Sequence, residues 1–283
     1  WDHQRRRMSV VGIGFDRGEV KLYDPASNRY DTAKFRELNR FKTAGITNDA
    51  ECVYLILGLD INSFNLSTRR LTSLSKLIAP RRHPAVVLHQ DSMFVIGGGE
   101  LVGNSVLDSV EILSGYNLAR PRSCLEYGDP INIPRKLATA VSVDMYIYLA
   151  GGMSEASLRT VERFHSETGW VVMHLLLSAP SSMRGLAALN PQQILVFGGK
   201  TVGGARLQTA EIIDFENQER TTLAKSVVGD FSSKAVVIQE KTHYRVLAWK
   251  NEEYSKRPYE FNLPITNWSR RKRLLKLRAF LIC

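Results

Sequence analysis

The chain has 283 residues, 44% of them apolar, and carries 38 lysines and arginines against 28 aspartates and glutamates, a net charge of +10. This is enough apolar chain to bury a large core, and it contains no run of about 18 apolar residues with which a helix would cross a membrane. Three cysteines, Cys52, Cys124 and Cys283, are odd in number and widely spaced, which excludes a disulfide framework and a CxxC metal site and leaves buried free thiols in a reducing, cytoplasmic or nuclear setting as the expectation.

In chain order, the first expected strand is Met8 to Gly14, ended by Gly12 and Gly14, followed by Tyr23-Asp24-Pro25-Ala26-Ser27-Asn28-Arg29-Tyr30, an apolar-acid pair with a large apolar residue seven positions on. The pair recurs as Phe64-Asn65, Ile112-Leu113, Phe164-His165, Ile213-Asp214 and Phe261-Asn262, the first members 41, 48, 52, 49 and 48 residues apart. Upstream stands an aliphatic run closed by two glycines: Phe94 to Gly98, Tyr148 to Gly152 and Leu195 to Gly199. Gly58-Leu59 and Ala248-Trp249 occupy that place in the second and sixth repeats. Within the fourth repeat, Leu137 to Val143 and Met145 to Ala150 read as buried inner strands, Thr160 to Phe164 as an alternating third, and Trp170 to Leu177 as a fourth. Four strands every 49 or so residues is the content of one propeller blade, and a fixed period means an array. Paired glycines suit strand ends crowded against a central axis.

These residues carry a resemblance along essentially the whole chain: it resembles the Kelch-repeat β-propellers, whose unit reads apolar run, Gly-Gly, then Tyr-Asp and Trp at fixed offsets. The expected fold is all-β, a six-bladed β-propeller of four-stranded antiparallel blades in one domain. The blades are expected at residues 1–38 with 278–283, 39–79, 80–130, 131–179, 180–227 and 228–277. Inner strands such as Ala85 to His89 and Ala235 to Gln239 precede the glycine runs of later repeats, whereas the first repeat lacks one and Arg278 to Cys283 is left over after the Trp268 strand. The C-terminal segment is therefore expected to complete the first blade and close the ring.

The charge concentrates in pairs: Arg69-Arg70, Arg81-Arg82, Arg135-Lys136 and the run Arg270-Arg271-Lys272-Arg273. Such a surface attracts acidic partners. Nucleic acid is the weaker expectation, because no aromatic stacking platforms are interleaved with the basic pairs. Arg81, Arg135 and Arg184 precede successive inner strands, with Arg40 and Ser232 at looser equivalents, and loops at that phase converge on one mouth of the channel. The expected partner-binding residues are thus Arg81, Arg82, His83, Arg135, Arg184, Arg40 and Ser232, with guanidinium groups gripping carboxylates, or alternatively pairing with neighbouring loops. In the resembled family a Pro-Arg here is a common and often structural element.

Catalysis, a bound metal and a cofactor are not expected. The histidines form no ligand spacing, and Glu111, Glu162 and Glu211 recur at one repeat position, as structural strand residues do. The expected function is protein or peptide recognition. The resemblance implies service as substrate receptor of a cullin-RING ubiquitin ligase, joined through a BTB domain, and none is present in these 283 residues. The alternative is a structural subunit of a cytoskeletal or other large multiprotein assembly.

Overall fold

A computed structural model describes residues 10–14, 19–24, 29–34, 44–49, 51–116, 124–223, 235–239, 243–248 and 259–264. Among them are strands and turns and no helix, arranged as six successive antiparallel sheets and one two-stranded ribbon of Arg81–Arg82 with Gly99–Glu100. The first holds Val10–Gly14, Glu19–Asp24 and Arg29–Lys34; the second, Ala44–Asn48, Cys52–Leu57, Asp60–Asn65 and Leu71–Lys76. The third holds Ala85–His89, Ser92–Ile96, Val110–Ser114 and Cys124–Gly128; the fourth, Thr139–Val143, Tyr146–Ala150, Val161–His165 and Gly169–Val172. The fifth holds Gly185–Asn190, Gln193–Phe197, Ala210–Asp214 and Glu219–Leu223; the sixth, Ala235–Gln239, His243–Ala248 and Tyr259–Pro264. The inner strands of the second to sixth sheets stand side by side in chain order. The expected closing strand at 278–283 and the Trp268 strand lie outside the described residues.

The core sits in the seams between sheets. Successive residues of a strand point to opposite faces. Accordingly Val86, Met93 and Val95 enter the seam with the second sheet, where Tyr54, Ile56 and Ile61 lie. Their neighbours Val87, Phe94 and Ile96 enter the seam with the fourth, against Ala140, Ile147 and Leu149. Both faces of the third and fourth sheets are thereby covered, which is why their second strands read as unbroken apolar runs instead of alternating ones. Trp170 packs in the same seam, its ring 5.3 Å from Phe164, which lies 5.4 Å from Phe94.

Four local expectations are corrected. The outer strand of the fourth sheet stops at Val172, because the chain leaves the ladder so that the Leu177 amide can donate to Arg159 O and its side chain can enter the next seam. The buried anchor of the third repeat is Leu113, opposite Met93, just as Phe164 faces Ile147 and Ile213 faces Ile194; Ile112 is one position early. Gly58-Leu59 is a two-residue hairpin turn between Leu57 and Asp60, and Gly58 takes the positive φ of 67° that such a turn requires. Cys52 carries a free thiol that is half-buried, not fully buried as expected; burial and then Asp49 push its pKa up. The Cys124 side chain and Cys283 lie outside the described residues.

Candidate partner-binding face

Antiparallel pairing puts the end of each second strand beside the start of its inner strand. The loops 97–109, 151–160 and 198–209 therefore share one face of the third, fourth and fifth sheets with the loops 77–84, 129–138 and 173–184 that lead into the inner strands. This face is where sequence analysis gathers its binding residues.

Under these loops lie three buried ion pairs. Arg81 bonds Glu111, Arg135 Nη2 lies 2.5 Å from Glu162 Oε1 and Arg184 Nη1 lies 2.9 Å from Glu211 Oε1, with all six side chains shielded from solvent. Each carboxylate also accepts amides of the incoming loop: Ile78 and Ala79 donate to Glu111, Asn132 and Ile133 to Glu162, and Ser178 to Glu211. The guanidinium groups are spent on the chain itself. Arg81 donates to Ala79 O, Gly97 O and Ser109 O, and Arg135 to Ile133 O, Gly151 O and Thr160 O. Burial lowers the Arg135 and Arg184 pKa values while Glu162 and Glu211 oppose the shift. These arginines are loop staples. The expectation that Arg81, Arg135 and Arg184 present guanidinium groups to a partner is corrected, because a side chain with no exposed surface and filled donors offers a ligand nothing.

The shared phase of the three arginines is corrected as well. The second glycines of the pairs, Gly98, Gly152 and Gly199, have φ of 107°, 98° and 97°. A Cβ there would come within 3.0, 2.9 and 2.9 Å of the carbonyls of Arg82, Lys136 and Ser182. The next residues, His83, Leu137 and Met183, are left-handed, and the amides of Leu137 and Met183 donate to His83 O and Leu137 O. Ser181 is thus the backbone equivalent of Arg81 and Arg135, each directly following a proline, Pro80, Pro134 or Pro180. Arg184 stands three residues later, where Pro84 and Ala138 stand in the other repeats, and reaches its acid with its Nε bonded to Ser181 Oγ. The three prolines carried this signal in the sequence.

What remains at the surface is Arg82, His83 and Lys136. Arg82 and Lys136 flank Gly99: the Arg82 Cγ and Lys136 Cδ atoms lie 3.6 and 3.4 Å from the point its Cβ would occupy. All three side chains are partly exposed, and among the described residues neither Arg82 nor Lys136 has a carboxylate within ion-pair distance. Arg82 donates to Gly103 O. The His83 pKa is lowered by burial, then by Arg82 and Lys136, so the ring is neutral at neutral pH. Lys136 was absent from the expected site, although it stands at the same position as Arg82 once the prolines set the register. Arg40 and Ser232 lie outside the described residues. Among the described residues no cluster of His, Cys, Asp and Glu could hold a metal ion.

Residues 134–169, from the loop entering the fourth sheet to the start of its outer strand, match the Kelch motif. The Kelch-like protein terF of Aspergillus terreus is 24% identical over 213 residues, which is 67% of this chain and 45% of that protein. The chain thus spans less than half the length of this curated relative. Among solved structures, that of YjhT superposes with a TM-score of 0.60 over 77% of this chain and 80% of the other, at 14% identity, a likeness of fold. With antiparallel sheets of this order and a Kelch motif spanning most of one of them, the chain carries a Kelch motif and is similar to the Kelch-repeat proteins in an all-β fold of antiparallel sheets.

Proposed function

We propose that the chain is the recognition module of a protein or peptide partner, and that an acidic segment of that partner binds the loop face at Arg82 and Lys136. Kelch-repeat propellers imply protein–protein interaction and are generally binding modules; the acidic preference is the step taken here. The observation that carries it is the contrast between buried arginines, each neutralised by a glutamate, and the adjacent surface cations, which have no carboxylate within ion-pair distance among the described residues. An uncompensated cation pair at the base of a loop is poised for a carboxylate. In a longer natural protein the module would act as substrate receptor of a cullin-RING ligase in the cytoplasm. That reading rests on fold-level analogy.

The test is affinity capture from lysate with the wild-type chain and with R82Q/K136Q, quantified by mass spectrometry at two salt concentrations. The expected outcome is loss of acidic, salt-sensitive partners from the double variant. Equal recovery of every partner by both proteins overturns the reading. Co-purification of a cullin with the full-length natural protein tests the ligase role separately.

A further inference from the structure

We propose that the loop face has a second subsite, an apolar notch over the second sheet that receives one aliphatic side chain of the same acidic segment. The inference rests on the acidic-partner reading and names what else that segment must carry.

The notch exists because one connection is clipped. The third, fourth and fifth sheets raise loops of 97–109, 151–160 and 198–209 between their second and third strands, whereas the second sheet turns in Gly58-Leu59 alone. The face therefore steps down there. Three aliphatic side chains belong to the step. Leu101, on the neighbouring loop, puts Cδ2 3.9 Å from where a Gly58 Cβ would be. Leu59 is half-buried against the core of the seam beneath, and its carbonyl accepts the Leu77 amide at 2.7 Å, which sets Ile78 beside the turn. Leu101 and Ile78 are 47% and 48% exposed, and Val102, next to Leu101, is 89% exposed. Single exposed aliphatics are ordinary, but several gathered round one turn mark a contact surface.

The same loop connects the notch to the cations. Leu101 and Val102 sit between Gly99, which Arg82 and Lys136 flank, and Gly103, whose carbonyl Arg82 holds. Charge selects the occupant at the cation end of the loop: Arg82 and Lys136 flank Gly99, and Glu100 is the one carboxylate on the ribbon between Arg81–Arg82 and Gly99–Glu100, whereas Lys76 at the notch lies across the ladder from Asp60 and adds no net charge there. An extended peptide with an aliphatic residue a few positions from a pair of acids spans both subsites.

Selection of random dodecapeptides displayed on phage, on the 283-residue chain, supplies the probe. The selected peptides are expected to be acidic with an aliphatic residue at a constant offset, and changing that residue to alanine should weaken binding about tenfold. On I78S/L101S the alanine change should have no further effect, while amidation of the acids still weakens binding; on R82Q/K136Q the reverse should hold. V202S, at a valine 63% exposed on the fifth sheet's loop, should behave as wild type. Unchanged melting temperatures certify that the variants fold. Acidic peptides with no aliphatic dependence, or an aliphatic dependence that survives I78S/L101S, overturn the notch and leave the acidic reading standing. Peptides that ignore Arg82 and Lys136, failure to select any peptide, or a single-stranded RNA that binds in their place overturn both.

Discussion

In the third and fourth sheets the arginine that neutralises the buried glutamate follows directly on a proline, Pro80-Arg81 and Pro134-Arg135; in the fifth, Pro180 is followed by Ser181 and the arginine comes at 184. The glutamates keep one register, facing Val95, Leu149 and Val196 across their ladders. What the repeats hold constant is a guanidinium at a place in space. A carboxylate in a water-free seam must be matched, and its backbone donors alone leave a net charge there. The left-handed residue between the two backbone positions folds the chain back, so a side chain from either reaches the acid, and Ser181 is small enough to yield the space and supply an acceptor.

The comparison is broken most severely at the fourth sheet. Arg135 satisfies three carbonyls besides Glu162, so Arg135→Ala should cost about 3–5 kcal/mol by leaving a buried carboxylate unmatched. Urea denaturation measures it; a loss under about 1 kcal/mol, the range of exposed pairs, would show that water enters the seam.

Trp170→Ala should cost a similar amount, about 3–5 kcal/mol, through the cavity it opens beside Phe94 and Phe164. Its counterpart in the fifth sheet is Arg220, which faces Ile213 as Trp170 faces Phe164. Arg220 is partly exposed and only 3.6 Å from Glu211, so Arg220→Ala should cost less than about 1 kcal/mol in the same experiment.

Relocation sharpens the comparison further. Arg184→Ala should destabilise, and S181R/R184A should regain more than half of the loss, because Ser181 stands where Arg81 and Arg135 stand. No recovery in the melting temperature would mean that the fifth sheet has committed its packing to the later position, where the Arg184 stem fills the space that a Cβ on Gly199 would need.

The fold was legible because glycine pairs and buried anchors recur in the third to fifth sheets, where apolar seams between neighbouring sheets leave few alternatives, as at Gly97-Gly98, Gly151-Gly152 and Gly198-Gly199. The site was legible only in part. Arg82 and His83 were expected because they adjoin Arg81, and their side chains are partly exposed, but aligning repeats on arginine instead of proline hid the equivalent position of Lys136 and misassigned Arg184. Charge alone does not distinguish a staple from a surface group; the difference is made by a glutamate some 27 to 30 residues away on the third strand. The clipped turn at Gly58 also had a signal: its glycine stands six residues before Phe64, whereas Gly151 stands thirteen before Phe164. The notch needed side-chain positions to be seen.

The seam between the third and fourth sheets should also respond to pH where the next seam does not. His89 is buried there, its Nδ1 2.9 Å from Ser142 Oγ and its ring against Phe94, and burial, then His165, lowers its pKa. The unfolded chain takes up the proton first, so this contribution is whole above about pH 6.5 and is lost as pH falls toward the lower folded value. Thermal melts from pH 7.5 to 5 should fall more steeply for wild type than for His89→Gln; parallel curves would assign the slope to other groups, His83 among them.

The smallest effect on stability is expected one residue from one of the largest. Arg81 and Arg82 are neighbours in sequence, yet one is sealed under the loop and the other lies over Gly99 with a single carbonyl partner in the described residues. Arg82→Gln should therefore change the unfolding free energy by no more than about 0.5 kcal/mol, as surface substitutions do, whereas Arg81→Gln leaves Glu111 buried and unmatched and should cost several times that. Binding should invert the order for folded protein: Arg82→Gln loses the acidic partner, and any Arg81→Gln protein that remains folded keeps it. The pair of measurements, denaturation and capture, places the boundary between scaffold and site at the peptide bond between them. If Arg82→Gln proves as destabilising as its neighbour, the Arg82 bond to Gly103 is a fourth staple and the cation pair belongs to the scaffold.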